Sequence, residues 1–207
     1  MGKTKIIERS VYAGGLRLRE SGEGEPASRV IEGYAVRFDS ASVPMGKEGG
    51  KEVREYISAG ALTREVLEAS DIRMTMFHDS RIILARSKQG KGTLSWDVDE
   101  KGVSFSFEAP RTMDGDKALE LVARGDVDGC SFAFLLDLGD PEAVSREETD
   151  TEVSYTIRKV VDVRDFTLTD SPAYPETECA AYRDLAKGDD RARVAAQIAG
   201  MRAAARW

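Results

Sequence analysis

Among its 207 residues the chain has one histidine, His78. Any step near neutral pH that needs an ordinary imidazole must use that residue. Cysteine is nearly as scarce: Cys130 and Cys179 are too few for a disulfide framework and lack the paired spacing of a zinc site, so both are expected as reduced thiols. No stretch approaches the roughly 18 apolar residues of a bilayer-spanning helix. The amino-terminal "MGKTKIIERS" carries no apolar run of the secretory kind, which predicts a cytosol-like compartment and no membrane partner. The formal net charge is −7, and because both ends are net basic the middle is more acidic than the total. An acidic body is a poor electrostatic partner for phosphates, so nucleic acid is not an expected partner. Internal repeats are absent. Asp97 and Asp99 share a strand face, but no histidine or further carboxylate joins them, so neither a metal nor another cofactor is expected. Gly90 and Gly92 lack the strand and helix context of a phosphate loop.

What is present suits one globular domain with polar extensions: 41% of residues are hydrophobic and 32% charged. "ESGEGEPAS" at 20–28 has nothing to bury. This places a flexible amino-terminal arm at 1–28, a folded body at 29–182 and an Ala/Arg-rich helical tail at 183–207. Eight strands are predicted in the body, at 29–38, 72–77, 81–86, 92–98, 102–109, 130–138, 153–161 and 164–170, each short, rich in β-branched or aromatic residues and mostly bounded by turn formers. Two helices interrupt them, at 60–69 with Ser58 as a cap upstream, and at 116–124 with Asp114 as N-cap and Gly125 as the stop. So many strands with so few helices argue for a barrel or a sandwich.

"GDVDGCSFAF" at 125–134 sets two nucleophiles side by side. Strand alternation points Cys130, Phe132 and Phe134 to one face and Ser131, Ala133 and Leu135 to the other. Cys130 then shares its face with two phenylalanines, as a buried inert thiol does, whereas Ser131 has a small neighbour that leaves room for approach. A serine hydroxyl needs a base within hydrogen-bond reach. His78, in "MTMFHDS" at the end of an apolar strand, is the only imidazole available.

Five motifs then fall in order: "IEGYAVRFDS", "REYISAGAL", "FHDSRIILAR", "LELVARGDVDGCSFAF" and "DFTLTDSPAYPETE". Over roughly Ile31 to Tyr182 the chain resembles the prohead, or capsid maturation, serine proteases of tailed bacteriophages, whose fold is similar to the herpesvirus assemblins. The resemblance implies a mainly β fold with some α: a closed or nearly closed antiparallel barrel of about seven or eight strands flanked by helices. It implies a serine endopeptidase with His78 as base and Ser131 as nucleophile. In the herpesvirus enzymes a second histidine orients the first; none exists here, so a carboxylate must serve. The family's acidic residue before its "PAYP" segment falls on Asp165, with Asp170 as the alternative. Arg86 in "ILARS" matches a family arginine and is a candidate oxyanion donor, beside the plainer reading of a salt bridge. Two departures stand out: Ala133 where the family often has glycine, and aspartate where glutamate is common. The implied substrates are the major capsid protein with its scaffolding segment and the protease itself, inside an immature capsid in the host cytoplasm, with a homodimer as a further implied partner. A competing expectation is a non-catalytic module that binds capsid subunits.

Overall fold

The computed structural model describes residues 6–14, 16–19, 28–42 and 44–170. The helical tail expected at 183–207, together with Cys179, lies outside the described residues. In chain order the elements are β1 Ile6–Gly14, β2 Arg17–Leu18, β3 Val30–Arg37, β4 Lys47–Glu48, β5 Lys51–Ile57, α1 Arg64–Ala69, β6 Asp71–Met76, β7 Asp79–Lys88, β8 Lys91–Gly92, β9 Leu94–Asp99, β10 Gly102–Glu108, α2 Met113–Arg124, β11 Gly129–Asp137, β12 Val144–Glu148, β13 Glu152–Ile157 and β14 Asp162–Thr169. Each of the eight expected strands is present within a few residues of its expected bounds. Strands β1 and β2 fall inside the span expected to be an arm, and β4, β5, β8 and β12 are additional.

The strands form three separate sheets, ordered β1-β11-β14-β6-β7-β8, β2-β3-β10-β9 and β12-β13-β5-β4. This corrects the expected closed or nearly closed antiparallel barrel. Closure requires the hydrogen-bond ladder to run unbroken around the strands, whereas every sheet here ends on both sides. The pairing is also not uniformly antiparallel: β14 with β6, and β13 with β5, run parallel. Strand count and alternation describe single strands, and a barrel and packed open sheets have the same alternation.

The core lies between sheets. β11 and β14 of the six-stranded sheet contribute Phe132, Phe134, Phe166 and Leu168, while β3 and β10 contribute Ile31, Val103, Phe105 and Phe107. The rings of Phe105 and Phe166 lie 6.3 Å apart, centre to centre, and join the two sheets. A buried ring of this kind is worth about 1.5–3 kcal/mol in transfer from water.

Both helices start on threonine hydroxyls. Thr63 accepts from the Val66 N–H, and Thr112 from the Gly115 N–H, rather than Ser58 or Asp114 acting as caps. Asp114 and Asp116 instead sit in the first turn of α2, where carboxylates favour the positive end of the helix. Gly125 does end α2, at φ 75°, a left-handed conformation that glycine enters without a Cβ penalty. That stop turns the chain into Gly129 and the start of β11.

Candidate active site

β11 is an interior strand with β1 on one side and β14 on the other, and residues 129–136 are all buried. Its alternation is visible in the packing. Cys130, Phe132, Phe134 and Leu136 belong to the main core, and the rings of Phe132 and Phe134 stack at 4.6 Å. Ser131 and Ala133 occupy the opposite face. Burial pushes the Cys130 thiol far above its ordinary pKa, and the thiol points at the Ser131 carbonyl. A neutral, core-packed thiol has no nucleophilic character near pH 7.

The face bearing Ser131 carries a row of small polar residues. Ser131 lies opposite Thr167 on β14, and Thr167 lies opposite Thr75 on β6. One step along, Ala133 lies opposite Asp165, which lies opposite Arg73. Asp165 and Thr167 are two residues apart on β14, so both project from this face.

His78 reaches the row from the β6–β7 hairpin. Met76 pairs with Asp79 across a two-residue loop, and both loop residues, Phe77 and His78, have φ 54°. Positive φ at both central positions is what a type I′ hairpin turn requires, and it costs a residue with a Cβ roughly 1–2 kcal/mol. β14 compensates: the Phe77 N–H donates to the Leu168 carbonyl at 3.0 Å and the His78 N–H to Thr167 Oγ1 at 2.9 Å. The turn folds the imidazole back over the sheet.

There, His78 Nδ1 lies 2.8 Å from Asp165 Oδ1, and His78 Nε2 lies 3.2 Å from Ser131 Oγ. A carboxylate at this position can only accept, which calls for the tautomer with the proton on Nδ1 and a lone pair on Nε2 facing the serine hydroxyl. His78 is 26% exposed, Asp165 17% and Ser131 fully buried, so the imidazole and the carboxylate lie between protein interior and water.

The other candidates are elsewhere. Asp79, next to His78 in sequence, is taken by Arg81, whose backbone N–H and guanidinium both donate to it. Those bonds hold the Asp79 carboxyl down at about 2. Asp170 stands exposed just beyond β14, without a bond to His78. Arg86 closes both arms of its guanidinium on Asp71, at 2.7 and 2.5 Å, and this pairing lowers the Asp71 pKa. β7 lies three ladder spacings from β11, about 14 Å between backbones. The structure thus brings together His78, Ser131 and Asp165, and leaves Arg86 in an ion pair. Sequence reasoning missed Thr167 and Thr75. The available signal was the two-residue spacing from Asp165 in "DFTLT", which sets Thr167 on the face of Asp165 once the strand is assigned.

Among the described residues no group of three potential metal ligands occurs, and no helix is long and apolar enough to cross a membrane. A groove of about 530 Å³ lies on the β2-β3-β10-β9 sheet, with Arg17, Glu32, Tyr34 and Ser104 in its wall, apart from the imidazole.

A family model described as caudovirus prohead serine protease matches residues 16–191. Neither the curated proteins nor the solved structures contain a match to this chain.

Proposed function

Starting from the fact that the chain belongs to the caudovirus prohead serine protease family, we propose that it is an endopeptidase in which Ser131 is the nucleophile, His78 the general base and Asp165 the residue that orients the base. The observation that carries this reading is the continuous link from Asp165 Oδ1 through the imidazole to Ser131 Oγ, at 2.8 and 3.2 Å.

The chemistry is acyl transfer. His78 Nε2 removes the hydroxyl proton as Ser131 Oγ adds to a peptide carbonyl carbon. The resulting imidazolium returns the proton to the departing amine as the C–N bond breaks, leaving an ester on Ser131. Water, deprotonated by the same nitrogen, then releases the acid and regenerates the serine. Asp165 fixes the Nδ1–H tautomer and stabilises the imidazolium without itself taking the proton.

The family's role is capsid maturation, which points to the major capsid protein and its scaffolding segment as substrates, with the protease itself as another. The setting is the interior of a prohead in the host cytoplasm. Confinement there raises the effective concentration of the reactants, so modest catalytic power suffices. Self-association into a homodimer belongs to the same reading.

One observation favours the competing reading of a non-catalytic assembly module: Ser131 has no exposed surface. Co-expression with the cognate major capsid protein separates the two. Wild type and Cys130→Ala should yield shortened capsid protein by mass spectrometry, and Ser131→Ala only full-length chains. Full-length masses with all three would favour the binding module. Activity in Ser131→Ala but not Cys130→Ala would assign the nucleophile to the thiol.

A further inference from the structure

Resting on the protease reading above, we infer that Thr167 is a positioning residue for the general base: its hydroxyl holds the strained turn that presents His78 to Ser131. Three observations converge on it. Thr167 is fully buried at the centre of the row, with Ser131 opposite on one side and Thr75 on the other. Its Oγ1 accepts the His78 backbone N–H at 2.9 Å. The same oxygen lies 2.9 Å from Thr75 Oγ1, so the hydroxyl is held in place from the β6 side.

The backbone geometry explains why such an anchor is needed. Phe77 and His78 both sit at φ 54°, where neither side chain is favoured and where glycine would relax. Strand pairing of Met76 with Asp79 closes the turn, and the bonds of its two central N–H groups to β14 fix its position against the sheet. The Phe77 N–H has a backbone partner in Leu168, which any residue at that position supplies. The His78 N–H has a side-chain partner, which only a hydroxyl or similar acceptor at 167 supplies.

β14 therefore holds His78 twice. Asp165 fixes the ring, and Thr167, two residues on, fixes the backbone from which the ring hangs. Asp165 alone leaves the imidazole free to pivot about the Nδ1–Oδ1 contact, and a displacement of about 1 Å at a catalytic group costs up to about 100-fold in rate. Thr75 Oγ1 donates to Thr167 Oγ1 and so acts on the turn only through that hydroxyl's hydrogen bond.

The test compares Thr167→Val, which keeps the shape and removes the acceptor, with Thr167→Ser, which keeps the acceptor. Cleavage of the purified cognate capsid protein should show kcat lowered about 10- to 100-fold in Thr167→Val with KM within about twofold, and values within about threefold of wild type in Thr167→Ser. A second readout is independent of proteolysis. Because the chain has one histidine, histidine-labelled protein gives a single set of imidazole resonances, and the Nδ1–H signal should weaken or shift in Thr167→Val and return in Thr167→Ser. Unchanged imidazole resonances in a folded Thr167→Val protein, or a Thr167→Ser spectrum as altered as that of Thr167→Val, would overturn the inference. An inactive wild type with the predicted resonance changes would instead refute the protease reading and leave the anchor standing. Should Thr167→Val not fold, hydrogen exchange on the wild type decides: the His78 amide should exchange at least about tenfold more slowly than an unstructured amide, and free exchange overturns the anchor.

Discussion

Replacing Asp165 with asparagine tests the electrostatics of the site with little change in shape. In the wild-type protein the carboxylate contacts Nδ1 at 2.8 Å, and in the proposed mechanism proton transfer from Ser131 would turn the ring into an imidazolium beside a full negative charge. With charge centres about 4 Å apart and an effective dielectric constant of about 20, that attraction is about 4 kcal/mol. The choice of dielectric follows from the exposure of the two side chains, 26% and 17%, which excludes the much larger figure for a dry interior. Asparagine removes this charge and can donate to Nδ1, which places the proton on Nε2 and points an N–H at Ser131 Oγ. Four kcal/mol corresponds to about a 10³-fold fall in kcat, with KM changed little because the uncharged ground state loses much less. The assay is steady-state cleavage of the purified capsid protein, with Asp170→Asn in parallel and expected to match wild type within about twofold. A reversal, with Asp165→Asn active within about threefold and Asp170→Asn inert, would refute both the assignment and the reasoning about the imidazolium.

Two further outcomes follow from neighbouring charges. Arg86→Gln should leave kcat within about threefold of wild type, because the guanidinium is engaged by Asp71; a loss of about 10²–10³ at constant KM in the same assay would instead identify an oxyanion donor. Asp79→Asn should cleave normally at neutral pH. Its effect is on acid stability: Asp79 is held near 2 in the folded chain, so between the ordinary aspartate value and that point the unfolded chain binds more protons. The Asp79–Arg81 contribution is thus complete above about pH 4 and lost as pH falls towards 2. Thermal melts across that window should fall less steeply with acidification in Asp79→Asn, and identical slopes would count against the contribution.

What could be read without coordinates is local. Alternation in "GCSFAFLLD" separates Cys130 from Ser131 because the pleat has a period of two, and the packing shows that separation directly. The scarcity of histidine selected His78 before any geometry was known. The limits of β6, β7, β10 and β11, and the stop at Gly125, were legible for the same reason: each depends on a few adjacent residues. β5 was not, because "KEVREYI" is largely charged and its strand ladder is formed with the parallel partner β13, about 100 residues away. Nor were the helix caps, since Thr63 and Thr112 compete with other good capping residues nearby.

Long-range pairing was decided by the tertiary structure alone. Nothing in "DFTLTD" shows which aspartate meets His78; the parallel ladder of β14 with β6 brings Asp165 to the imidazole, because it aligns Asp165 and Thr167 with the strand that ends in the His78 turn. The same distinction explains the barrel. Whether a last strand closes on the first depends on which edges meet, a property of the whole set of ladders, and here three sheets end without joining. Residue order determines the face on which a side chain projects, since the pleat is set by adjacent peptides, but which strands become neighbours is settled only when the complete core packs.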